Sequence, residues 1–230
     1  MKDDRLTPPR TLIASLRHTS ILLLILTVVS VAAALQAQRS SGPLGTPSSR
    51  LPLYLVLLGV QLLWVRYVKI GMKPTGHAIS DFFKPRTGQL WLLKDFAYAL
   101  VALLAFEAIG LGARYALGGA HARNAFLLPQ GPAESALWVF LSLTVGFCEE
   151  IVFRGYFQKQ IAAIIGNVAG AVVLQAIIFG VLHGYQGWRA ATIATAYGLV
   201  FGALAWWRGN IRAGVVAHAV TDIVAGLRLL

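Results

Sequence analysis

From Thr19 to Gln38 the chain runs without a charged side chain. A helix crosses the hydrocarbon layer of a bilayer in about 20 residues, so this stretch alone limits the folds open to the molecule. Polar or Gly/Pro-rich breaks divide the 230 residues into about seven such apolar segments, near 19–37, 52–70, 91–117, 134–156, 160–183, 189–207 and 211–229. Only 13% of the residues are charged, where a soluble domain carries about 25%. Lipid offers backbone groups no water to bond, so spanning segments must be helices or a closed barrel. Segments of this length are helices. The expected fold is all-α, a polytopic transmembrane helical bundle of about seven spans, with six to eight allowed by the breaks. The count is loosest at the fifth segment. There YFQKQIAAIIGN reads either as part of a span or as an interfacial helix ahead of a shorter span from Val168 to His183.

A net charge of +11 would point to nucleic acid in a soluble protein. Here the basic residues flank the apolar runs, which makes them topology signals and contacts to anionic lipid. No nucleic-acid partner is expected; the bilayer is. With the N-terminus in the cytoplasm, the inner side receives Lys2, Arg5, Arg10, Arg17, Arg66, Lys69, Lys73, Lys84, Arg86, Lys94, Arg154, Lys159, Arg208 and Arg212. The outer side receives Arg39, Arg50, Arg114, Arg123, Arg189 and Arg228. Fourteen against six of the 20 basic residues favours this orientation under the positive-inside rule. The expected location is a plasma membrane, the inner membrane of a bacterium. A cleaved signal peptide ending near Ala32–Ala37 is the competing reading of the first run, but the run extends to a full crossing. The single cysteine, Cys148, excludes an intrachain disulfide and any site built on several cysteines, and reads as a small core residue.

Ionisable side chains inside a membrane are costly and usually face the protein interior. Three places carry them. In FCEEIVFR, Glu150 and Arg154 lie four apart and can pair on one helical face, while Glu149 lies about 100° round the helix with no basic partner at that spacing. A free buried carboxylate suits general-base work. The alternative is that all three sit solvated at a helix end. In FGVLHG, Phe179 and His183 share a face, and in HAVTD so do His218 and Asp222. The latter spacing suits a metal, an aspartate orienting an imidazole, or a plain helix-stabilising hydrogen bond. Small residues at Ala176, Gly180, Gly184, Gly198 and Gly202 would let helices approach. Taken together, these polar groups on three apolar helices call for a shared cavity, with Glu149, His183 and His218 within about 8 Å of a common point.

In chain order, Glu149-Glu150-xxx-Arg154, Phe179-xxx-His183 and His218-xxx-Asp222 resemble the EExxxR, FxxxH and HxxxN/D motifs of the CAAX protease and bacteriocin-processing (CPBP, or Abi) superfamily. Its best-known members are type II CAAX prenyl endopeptidases. The resemblance covers residues 134–229. It implies an intramembrane endopeptidase, a hydrolase acting on a membrane-associated or prenylated (CAAX-type) protein or peptide. Glu149 would activate water with help from His183. Glu150 and Arg154 would hold the site together, Phe179 would support it, and His218 with residue 222 would stabilise the oxyanion. Prenyl-protein proteases of the family usually carry asparagine at the last position. Ionised Asp222 cannot donate a hydrogen bond, so it is protonated, orients His218 or binds a metal. Glu149, His183, His218 and Asp222 are ligand types that zinc accepts, and the sequence leaves metal-activated and glutamate-activated water both open. The expected organisation is one integral membrane domain. Residues 1–130 supply N-terminal helices and a basic cytoplasmic loop, and residues 131–230 supply the catalytic core.

Rival readings remain at this stage. A non-catalytic scaffold or bacteriocin-immunity protein could keep the same fold. A transporter is disfavoured because no internal repeat appears. A haem protein using His183 and His218 would leave the glutamates unexplained. Glu107 is a further intramembrane acid, two turns from Arg114. His77 and His121 read as solvated loop residues, and Trp206 and Trp207 as interfacial anchors.

Overall fold

The computed structural model describes residues 11–40, 49–84, 90–117 and 127–227. Lys2, Arg5, Arg10, Arg86, His121, Arg123, Arg228, the side chain of Arg39 and most of the 39–50 loop lie outside the described residues. Each apolar segment is a helical rod: α1 (Leu16–Ser40), α2 (Leu51–Met72), α3 (Trp91–Leu117), α4 (Pro132–Glu150) continued by α5 (Gln158–Ile165), α6 (Val168–Leu182), α7 (Trp188–Arg208) and α8 (Arg212–Leu227). No strand occurs among the described residues. Five rods are long and apolar enough to cross a membrane: Leu16–Gln38, Leu51–Thr75, Trp91–Leu117, Pro132–Ile165 and Trp188–Arg208. The chain is thus an all-helical integral membrane protein. Leu55, Val56, Leu100, Val101 and Leu104 point outward, where lipid would meet them.

The fourth and fifth segments divide differently from the expectation. YFQKQIAAII continues α4 through a π-helical stretch, Ile151–Phe157, and the break falls at Gly166-Asn167. Gly166 takes a left-handed φ of 66°, which ends α5 at little cost because it has no Cβ. Asn167 then caps α6 by accepting from the Gly170 amide at 3.0 Å. The polar letters that suggested an interface are buried and bonded. Gln158 donates to the Gly202 carbonyl at 3.0 Å, and Gln160 donates to the Ala14 carbonyl at 2.8 Å.

Lipid competes for apolar surface, so helices in membranes associate through close packing and polar contacts. Both devices appear. A Cβ on Gly146 of α4 would stand 2.7 Å from the Ala219 backbone nitrogen of α8. Gly198 of α7 meets Ala176 of α6, and Gly180 faces Thr195 and the Ala191 carbonyl. Gly202 packs on Gln175, whereas Gly184 lies past the end of α6 with open space beside it. The core centres on the π stretch. Ile151, Val152, Phe153, Tyr156 and Phe157 pack with Leu22 and Leu26 of α1, Val68 and Met72 of α2, and Phe179 of α6.

Candidate active site

The end of α4 holds Glu149 and Glu150, and the π stretch that continues it holds Arg154. Glu149 falls near the middle of the helical run Pro132–Ile165, so it is not at a helix end. Glu149, Glu150 and Arg154 are 8%, 0% and 1% exposed, which overturns the reading of all three as solvated. Arg154 therefore cannot count as a loop charge in the orientation tally. Its Nη1 lies 2.9 Å from Glu150 Oε1, the pairing expected across one turn. The guanidinium is clamped between aromatic faces, 4.4 Å from the Phe179 centroid and 4.7 Å from that of Phe201. Such faces attract a cation when water is excluded.

Helix α8 packs on α4 and brings His218 to the same carboxylate. Its Nδ1 lies 3.0 Å from Glu150 Oε1. A carboxylate beside Arg154 accepts, so Nδ1 carries the hydrogen and Nε2 is left facing the site. Nε2 stands 3.8 Å from Glu149 Oε2 and 3.8 Å from Asp222 Oδ2. Glu150, and not Asp222, is therefore what orients His218. Asp222 is the open side of the site, with 32% of its side chain exposed. Its backbone carbonyl accepts from Trp138 Nε1 at 3.0 Å, tying α8 to α4.

Helix α6 contributes Phe179 and His183. The Phe179 ring borders both imidazoles, with centroids 4.3 Å from His183 and 6.1 Å from His218. His183 Nδ1 lies 2.7 Å from the Phe179 carbonyl oxygen. A carbonyl only accepts, so this nitrogen is also the protonated one and Nε2 keeps its lone pair. His183 lies within electrostatic reach of Glu149 and His218. α6 is only 15 residues, about 22 Å at 1.5 Å per residue, shorter than a 30 Å hydrocarbon layer.

One contact escaped the sequence reading. Gln61 of α2 donates from Nε2 to Glu149 Oε1 at 3.0 Å, so Glu149 does have a partner. The signal was a lone amide in the apolar run LLGVQLLWV. Glu149 Oε2 makes no hydrogen bond among the described residues, although it is buried. Cys148 is fully buried beside these acids, as a core residue would be. Glu149, His183, His218 and Asp222 have the chemistry of metal ligands. Among the described residues, however, no three His, Cys, Asp or Glu side chains group as ligands for one ion. Nδ1 of His218 and of His183 is engaged by Glu150 and by the Phe179 carbonyl, which leaves Nε2 of each imidazole free as a donor atom.

Residues 131–224 match the family model described as type II CAAX prenyl endopeptidase Rce1-like. An uncharacterized protein, YpbD of Bacillus subtilis (strain 168), is 30% identical over 86 residues, covering 37% of this chain and 42% of that protein. The match thus spans less than half of the relative's length. No solved structure matches. All three motifs fall inside residues 131–224, the region similar to the Rce1-like, CAAX-protease family model.

Proposed function

We propose that this chain is an intramembrane endopeptidase that hydrolyses a peptide bond of a membrane-associated or prenylated protein or peptide, using a water activated by Glu149. The observation that carries this is the state of the Glu149 carboxylate. One oxygen is fixed by Gln61. The other is buried without a hydrogen bond, facing His218 Nε2 across 3.8 Å. A gap of that size between two polar atoms suits a bridging water.

Glu149 Oε2 takes a proton from the water as its oxygen attacks the carbonyl carbon. His183 Nε2, held in the acceptor form, helps align that water. The carbonyl electron pair moves onto oxygen. Protonated His218 donates to this oxyanion from Nε2, and Asp222 donates in its neutral form. Collapse breaks the C–N bond, and the proton on Glu149 passes to the departing amine. Glu150, Arg154 and Phe179 touch no reacting atom and position the others. No step is routed through zinc or another metal.

Residues 131–230 supply the reacting groups, and residues 1–130 complete the same membrane domain. The distribution of Lys and Arg supports an N-terminus in the cytoplasm of a bacterial cell. Purified protein in liposomes, given a membrane-tethered peptide, tests the function. Wild type should cleave and Glu149→Gln should be slower by about 10²–10⁴-fold, the usual worth of a general base. Cleavage should survive a divalent-metal chelator. Equal rates for the two proteins would contradict the role of Glu149, and loss of activity on chelation would return the metal.

A further inference from the structure

The family match begins at residue 131, yet one contact to the candidate base comes from far outside it. Gln61 lies on α2, which packs against α4. It is 6% exposed in a helix otherwise facing lipid and apolar neighbours. An amide in such surroundings is costly unless it is bonded. Its Nε2 reaches Glu149 Oε1 at 3.0 Å, while its own Oε1 finds no hydrogen-bond partner among the described residues. Replacing Gln61 alone would leave Glu149 Oε1 buried without a donor, which lowers stability even when the shape is kept.

We infer that Gln61 is a positioning residue, which holds one oxygen of Glu149 so that the other is presented to the substrate water. This rests on the reading of Glu149 as the base. The two carboxylate oxygens are otherwise equivalent, and rotation about the last side-chain bond would exchange them. The amide removes that freedom. It also makes α2 part of the site, so the matched region alone would lack a fixed base.

The test compares full-length wild type, Gln61→Met, Gln61→Glu and Glu149→Gln in liposomes, each measured for kcat, KM and thermal unfolding. Met keeps the shape and removes the donor. Gln61→Met should unfold below the wild-type temperature, stay folded at the assay temperature and keep KM. Its kcat should fall about 10- to 100-fold, the scale for partners that orient a catalytic group. Gln61→Glu should be slower still, because a like charge replaces a donor. A packing role alone would lower stability and leave kcat of the folded protein at the wild-type value. A Gln61→Met protein with wild-type kcat beside an inactive Glu149→Gln overturns the assignment of Gln61 alone. Full activity in Glu149→Gln overturns both the assignment and the reading beneath it.

Discussion

Glu150 and His218, 68 residues apart in the chain, share a 3.0 Å hydrogen bond between Oε1 and Nδ1. The same oxygen pairs with Arg154 Nη1 at 2.9 Å. One buried carboxylate thus joins a cation on its own helix to an imidazole on another. The adjacent glutamate differs: Glu149 keeps one oxygen without a hydrogen bond. The proposed mechanism accordingly gives the neighbouring acids separate tasks, Glu150 in assembly and Glu149 in chemistry.

That division predicts opposite signatures for two matched substitutions. Glu150→Gln leaves Arg154 buried without its counter-charge, which should cost about 3–5 kcal/mol. Glu149→Gln should unfold near the wild-type temperature. Thermal unfolding in detergent reads both. A Glu150→Gln protein as stable as wild type would remove Glu150 from the assembly role.

The α4–α8 contact should tolerate no added carbon. Gly146→Ala would place a Cβ 2.7 Å from the Ala219 backbone nitrogen, where no flexible side chain can yield. The helices would have to separate, at about 1–3 kcal/mol for overpacking, and carry His218 away from both glutamates. Gly59→Ala on α2, with nothing within 4 Å, is the control and should leave stability and cleavage unchanged. Thermal unfolding and peptide cleavage on the two variants check this.

Asp222 offers a test of the oxyanion role. Its Oδ2 stands 3.8 Å from His218 Nε2 on the exposed side of the site. Asparagine donates without needing a proton. Asp222→Asn should cleave at least as fast as wild type, whereas Asp222→Leu should lose about 10²-fold, the scale of one oxyanion donor. Steady-state kcat on the tethered peptide decides it. Equal losses in both variants would mean that the carboxylate itself is required.

The segment around Ile13 and Ala14 is held by the Gln160 amide, with Thr75 Oγ1 donating to the Ile13 carbonyl at 2.7 Å. Gln160 Oε1 accepts from the Ile13 and Ala14 amides at 2.9 and 3.2 Å, and Nε2 donates to the Ala14 carbonyl and to Thr19. Gln160→Leu strands those buried backbone groups, at about 1–3 kcal/mol each. Limited proteolysis should then cut between residues 11 and 19 at least tenfold faster than in wild type, a factor worth about 1.4 kcal/mol. An unchanged digestion rate would show that the segment is held elsewhere.

These contacts mark where the sequence was legible. The spans could be read because lipid imposes a length and excludes charge, and both leave a local signature. The Glu150–Arg154 pair was legible because it lies within one turn. Gln61, Gln160 and Glu150's hold on His218 were not. Each joins residues far apart in the chain, and no spacing rule reports on helix neighbours. Gln158 and Gln160 left an interfacial helix open as one reading, because polar letters look alike whether solvated or bonded to a facing helix. The buried pairing of Glu134 with the Arg50 amide at 2.7 Å escaped notice for the same reason. The aspartates were half legible. Asp222 was found by its spacing from His218, while Asp95, which binds both Arg208 and Arg212, lies on a third helix.

The central claim is that Glu149 cuts peptide bonds in the membrane. The most direct measurement compares membrane-protein N-termini in cells carrying wild type or Glu149→Gln, with both proteins inserted at equal levels. New N-termini that vanish with the substitution are the predicted result, and their sequences name the substrate. Identical N-termini in the two strains would contradict the claim and favour a membrane scaffold or immunity protein built on the same fold.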